Sequence, residues 1–136
     1  MQQCGILIAD DDAGILGLLT LITRRAGFEP DTARDGLEAI RKIDANDYSV
    51  IFLDLMMPRL NGYEVIEHLR TLKKRPAVIV ATAMNHNAPL DPDVVHLVLR
   101  KPFDIEVVGA LITEAARSLS PPPNLRTNAI TASRLS

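Results

Sequence analysis

Three carboxylates and one lysine each sit at the C-terminal end of an apolar run. Asp10 and Asp11 follow Ile6-Leu7-Ile8-Ala9, Asp54 follows Val50-Ile51-Phe52-Leu53, and Lys101 follows Val98-Leu99-Arg100. A fourth run, Val78-Ile79-Val80-Ala81, delivers a hydroxyl at Thr82. In an open parallel sheet the carboxyl ends of the strands share one edge, and ligands bind there, so these side chains would converge in one crevice. Acids packed together call for a cation, and a lone lysine beside them calls for an anion. A hard metal ion and a phosphoryl group meet both demands.

The same residues set the chemistry. A carboxylate can act as a nucleophile toward phosphorus and form an acyl phosphate, but its charge and those of the phosphoryl oxygens oppose the approach. Something positive has to intervene. Mg²⁺ takes octahedral oxygen ligation and keeps several waters, so one or two carboxylates, a carbonyl and a phosphoryl oxygen would complete its shell. Asp10, Asp11 and Asp54 offer the acidic oxygens. Held close together they raise one another's pKa, and a divalent cation relieves that repulsion.

The elements that must position these groups follow from hydrophobic spacing. Short β-branched runs alternate with longer helical patterns, the rhythm of repeated βαβ units. Strands are expected at about Gly5 to Ala9, Phe28 to Thr32, Ser49 to Leu53, Ala77 to Ala81 and Val94 to Leu99. Helices are expected from about Asp12 to Ala26, Gly36 to Ala45, Tyr63 to Leu72 and Asp104 to Leu119, with Asp12 and Asp35 as N-caps and Gly27 as a stop. Met84 to Asp93 holds Pro89 and Pro92 among Asn85, Asn87 and Asp91, so a fourth crossover helix there is short or degenerate, at most a single turn. Residues 1–119 make one domain on this reading, and 120–136, opening on Pro121-Pro122-Pro123, make a linker or disordered tail.

Composition narrows the classes. The 136 residues suit one domain with a proper core, and 47% are hydrophobic. Fifteen lysines and arginines against 17 aspartates and glutamates give a net charge of −2, so no basic field argues for direct nucleic-acid binding. A single cysteine, Cys4, cannot form an internal disulfide, and no apolar stretch approaches the ~20 residues of a membrane span. A cytoplasmic protein is the expectation. His68, His86 and His96 lack ligand spacing and read as solvated or locally bonded side chains.

Asp10-Asp11, Asp54-Leu55-Met56-Met57-Pro58 with Gly62 beyond, Thr82-Ala83 and Lys101-Pro102-Phe103, in that order and each at a strand end, together resemble the signature of bacterial response-regulator receiver domains, the CheY-like family. The likeness runs from about Gly5 to Leu119. It implies an α/β fold, a doubly wound five-stranded parallel sheet of flavodoxin-like order 2-1-3-4-5. It implies two-component signalling, with Asp54 as phosphoacceptor. It further implies Asp11 and Asp54 as direct ligands of Mg²⁺ (or Mn²⁺), Asp10 as a ligand mostly through water, and the backbone carbonyl of Met56 as the neutral ligand. Lys101 would neutralise one phosphoryl oxygen and Thr82, with Ala83 beside it, would bind another. Pro102 would form a cis turn. The donor would be a sensor histidine kinase or a histidine phosphotransfer protein, and the signal would pass to an output domain or partner protein from a monomer or weak dimer. Such a chain is no general enzyme, catalysing only its own phosphoryl transfer and autodephosphorylation.

One position departs from the family pattern, and two others bear on the lifetime of the acyl phosphate. The residue three before the lysine is an inward-turning aromatic in receiver domains, and here it is Val98, which leaves the output face altered. The side chains two after Asp54 and two after Thr82, which flank the path of the attacking water, are Met56 and Met84, so slow hydrolysis of the acyl phosphate is expected. Two other readings compete. A receiver-like protein-binding module that no longer cycles through phosphate is favoured by Val98 and by the unusual fourth segment. An aspartate-nucleophile phosphatase would need a general acid where Met56 stands. Flavin binding is weaker, because the first loop is acidic where a phosphate cradle would need amides. Each residue also has a plainer role open to it: Asp12 as a helix cap, Thr82 as a strand-end hydroxyl bonded to backbone, Lys101 as a surface lysine.

Overall fold

A computed structural model describes residues 5–83 and 90–118. Five parallel strands, β1 (Ile6–Ala9), β2 (Asp31–Ala33), β3 (Val50–Asp54), β4 (Ala77–Thr82) and β5 (Leu97–Arg100), form one sheet in the order β2-β1-β3-β4-β5. Helices α1 (Ala13–Arg25), α2 (Gly36–Ala45), α3 (Gly62–Arg70) and α4 (Ile105–Arg117) complete the described elements. This is the doubly wound fold that the alternation of runs implies. The turn of strand order lies between β1 and β3, because β2 returns to the outer edge of β1.

Two cores sandwich the sheet. Ile6, Ile8, Val50, Phe52, Ile79 and Leu97 pack under α1 and α4, while Leu7, Ile51, Leu53, Val78 and Val80 pack under α2 and α3. Strands covered on both faces read as continuous apolar runs, which is why β1 and β3 lack any polar residue before their acidic ends. Gly109 of α4 lies flush on α1, since a methyl there would come within 2.4 Å of the Ile22 side chain.

Local chemistry starts and stops the helices where the spacing predicts. The Asp12 carboxylate accepts from Gly14 N–H at 2.8 Å and Ile15 N–H at 3.2 Å, and Asp35 accepts from Glu38 N–H at 2.8 Å. Gly27, with φ of 98°, ends the first helical segment in the left-handed region.

Three expectations need correction. The second strand is Asp31–Ala33 rather than Phe28 to Thr32, because Phe28 N–H is held by the Thr23 carbonyl at the helix end and Pro30 has no N–H to pair. The fifth strand starts at Leu97, not Val94. Val94 and Val95 instead close a turn, both N–H groups donating to the Asp91 carbonyl, and their buried side chains join the core. Their β-branching reflects burial, not extension. Thr82 belongs to β4 rather than following it. Of the stretch from Met84 to Asp93, Met84 to Pro89 lie outside the described residues; among the described residues only the turn at Asp91 stands between β4 and β5. Cys4, His86 and the tail 120–136 also lie outside them.

Candidate functional site

Register brings the predicted residues together. Ala9 pairs with Leu53, so Asp10 stands level with Asp54; Asp54 in turn pairs with Ala81, and Thr82 with Arg100. Lys101, one residue on, donates its N–H to the Thr82 carbonyl at 2.8 Å. One rim of the sheet therefore carries Asp10, Asp54, Thr82 and Lys101, with Asp11 next to Asp10 in the chain.

Asp10 and Asp54 are buried, Asp11 is exposed, and one carboxylate oxygen from each lies within 4.8 Å of the other two. Oδ1 of Asp10 accepts from Asp12 N–H at 2.9 Å, and Oδ1 of Asp54 accepts from Met56 N–H at 3.1 Å. The other Asp54 oxygen faces Lys101 Nζ at 3.4 Å. Two buried polar atoms here have no hydrogen-bond partner: Oδ2 of Asp10 and Oγ1 of Thr82. Unpaired buried oxygens are costly, and a lone pair and a hydroxyl left open at one rim are what a cation and an anion would satisfy. The plainer role for Thr82, a hydroxyl tied to backbone, is not what the structure has. Lys101 likewise reaches inward, and Asp12 is the cap.

Burial dominates the electrostatics. It pushes the Asp10 carboxyl up to about 7, with the Asp54 charge adding and the Asp12 N–H and Lys101 opposing. Asp54 is also raised above the usual carboxylate range by burial, against the pull of Met56 N–H and Lys101. With both buried acids ionised, one partly exposed lysine would leave an excess of negative charge, which burial opposes by favouring their protonated forms.

The remaining sequence-selected positions sit around this cluster. The Lys101-Pro102 peptide is cis. Ala83 is exposed at the end of β4, and Met56 is 63% exposed, alternating with the buried Leu55 and Met57 of the same loop. Val98 is on β5, paired with Val80 and part-exposed, away from the rim. Met84 lies outside the described residues. His68 bonds Asp44 at 2.7 Å and His96 Nδ1 accepts from Val78 N–H at 3.0 Å, so both are locally engaged.

Spacing alone did not reveal how the loop after Asp54 is held. Gly62 packs so closely that a Cβ would stand 2.8 Å from the Asp54 carbonyl, and Asn61 and Glu64 form a reciprocal capping box at the start of α3. The Asn-x-x-Glu spacing was the available signal. Across the loop, Gly36 abuts Leu60 and Asp35 meets Arg59.

Comparison with known proteins gives a family and relatives of the same fold. The family model described as response regulator receiver domain matches residues 6–113. A transcriptional regulatory protein CpxR homolog of Haemophilus influenzae is 34% identical over 127 residues, covering 88% of this chain and 54% of its own. A CheY-like receiver domain protein of Methanospirillum hungatei superposes with a TM-score of 0.76 at 25% identity, over 89% of this chain and 100% of that one. The response regulator TrrA of Thermotoga maritima, solved in complex with Mg²⁺-BeF, superposes with a TM-score of 0.71 at 30% identity, over 83% of this chain and 99% of that one. The chain spans about half or less of the length of the curated relatives it matches.

Proposed function

The chain belongs to the response-regulator receiver family of two-component systems, and from that premise we propose that Asp54 is its phosphoacceptor. One observation carries the reading: a buried carboxylate, level with a second acid and beside a third, faces a lysine while a buried hydroxyl stands unpartnered at the same rim. An Asp54 oxygen forms the new P–O bond as the donor's P–N bond to histidine breaks, and the imidazole leaves. Lys101 neutralises one phosphoryl oxygen. Thr82 Oγ1, already without a partner, donates its hydrogen bond to another. Met56 N–H keeps Asp54 oriented.

Asp10, Asp11, Asp54 and the Met56 carbonyl would hold Mg²⁺ or Mn²⁺, and the open Oδ2 of Asp10 fits that assignment. When bound, the ion supplies positive charge that holds the acids ionised and offsets repulsion between nucleophile and phosphoryl oxygens. The Mg²⁺-BeF complex of the TrrA neighbour supports the same assignment by likeness. The kinase or phosphotransfer protein that donates, the output partner and the slow hydrolysis belong to this proposal. Residues 1–119 act as the receiver unit within it.

The test is intact-mass analysis after incubation with a small phosphodonor and Mg²⁺. The wild-type protein gains one phosphoryl group and Asp54→Asn gains none; equal uptake by both would refute the assignment. Val98, which cannot supply an aromatic switch, favours a second reading in which the fold serves as a binding module without phosphate. A wild-type protein whose spectrum does not respond to beryllium fluoride with Mg²⁺ would favour that reading.

A further inference from the structure

Arg59 is the one non-glycine residue with positive φ among the described residues, at 70°. It sits in the loop joining β3 to α3, between the buried Met57 and the cap Asn61. A side chain in this region crowds its own carbonyl, so surroundings must hold it there. Two contacts do so. The backbone of Leu60 lies against Gly36, where an added Cβ would come within 1.9 Å of the Leu60 carbonyl oxygen and 2.5 Å of its carbon. Beside it, Arg59 Nε meets Asp35 Oδ2 at 3.7 Å, while the other Asp35 oxygen caps α2.

The loop is thus seated between two glycines. Gly62 lets α3 close onto the Asp54 carbonyl and Gly36 lets α2 close onto Leu60. The pair at 3.7 Å is half-exposed on the arginine side and contributes little by charge alone. Backbone contact, which no rotamer change can relieve, sets the position.

We propose that the left-handed turn at Arg59, seated on the N-terminus of α2 by Gly36, is the positioning element for the acceptor loop, fixing the Met56 backbone relative to Asp54. The inference rests on the phosphoacceptor reading above and deepens it. Arg59 and Gly36 touch neither metal nor phosphoryl group and act through the backbone between them. The signature residues at the rim are then necessary but not sufficient, because the loop conformation is held from the neighbouring crossover.

Three substitutions separate backbone from side chain. Arg59→Gly keeps the turn and loses the ion pair; Arg59→Val, being β-branched, disfavours the left-handed region; Asp35→Asn keeps a capping side chain without the charge. Mg²⁺ affinity by titration calorimetry and phosphoryl uptake by intact mass are read on each, with circular dichroism confirming the fold. Arg59→Gly and Asp35→Asn stay within about twofold of wild type, whereas Arg59→Val loses about fivefold or more in both, following the cost of forcing the left-handed region. Equal values for the glycine and valine variants, or loss in Asp35→Asn matching that in Arg59→Val, would overturn the proposal. A wild-type protein that binds Mg²⁺ but takes no phosphoryl group sinks the acceptor reading alone, since the Mg²⁺ affinities still decide the role of the turn. Absence of any Mg²⁺ binding by wild type would overturn both.

Discussion

Lys101 Nζ stands 3.4 Å from Asp54 Oδ2, although 47 residues separate them in the chain. The two are joined through β4: Asp54 pairs with Ala81, and Thr82 accepts the Lys101 N–H. The lysine is one-third exposed and the carboxylate buried, so the pair lies where solvent screens one end only. Removing the cation leaves two buried acids without their shared counter-charge. Lys101→Ala is therefore expected to lower stability by about 1 kcal/mol near neutral pH, discounted for the exposure of the lysine. The loss shrinks in acid, where the carboxyls carry protons. Urea unfolding in chelator at two pH values measures it, and an unchanged midpoint in both would count against the contact.

Asp10 makes stability depend on pH in the direction opposite to that of an ordinary paired carboxylate. Its folded pKa, raised to about 7 by burial, lies above its unfolded value, so between the two the folded protein holds a proton that the unfolded chain has lost. Stability of the metal-free protein then falls as pH rises from about 4 toward about 7 and stays low above that. Asp54 is raised in the same direction. Asp10→Asn removes the penalty and is expected to stabilise the metal-free protein by about 2 kcal/mol near pH 8, with little gain near pH 4. Thermal melts across that range decide; equal gain at both ends would show that the charge is not the cause.

A divalent ion should reverse that pH trend. Binding requires ionised oxygens, so Mg²⁺ added near pH 6.5, close to the raised Asp10 value of about 7, is expected to release protons. Calorimetry in two buffers of different ionisation enthalpy reads the release. Saturating ion also stabilises the fold, by about 1.4 kcal/mol at tenfold excess over its dissociation constant. Asp11→Asn should weaken binding while leaving the metal-free fold intact, because Asp11 is exposed. Identical Mg²⁺ affinity in that variant would remove Asp11 from the site.

Much of this was legible in the chain because the signals are local. Asp12 and Asp35 announce their helices by capping chemistry, and α2 runs from Gly36 to Ala45 as the spacing predicts. The acidic ends of β1 and β3 were legible because a strand buried on both faces shows no polar residue until it leaves the core. The start of β5 was not, since Val94 and Val95 are β-branched for packing while Asp91 closes a turn beneath them. Nor was the seat of the loop after Asp54. Asp35-Gly36 reads as a cap in one dimension, and only the fold brings Leu60 and Arg59 onto it.

Thr82 separates stability from function. Its hydroxyl is buried, 3% of the residue is exposed, and Oγ1 has no partner. A buried unsatisfied hydroxyl costs free energy that an apolar group of the same shape does not, so Thr82→Val is expected to leave stability unchanged or raise it by up to about 1 kcal/mol. The open hydroxyl leaves a place for a partner that arrives later. In the phosphoacceptor reading that partner is a phosphoryl oxygen, so the same variant should bind beryllium fluoride with Mg²⁺ more weakly, by about tenfold for one lost charge-assisted hydrogen bond. Chemical denaturation and fluoride titration monitored by NMR give the two numbers on one protein. A variant that is both less stable and equally responsive would mean that the hydroxyl serves the fold rather than the phosphoryl group.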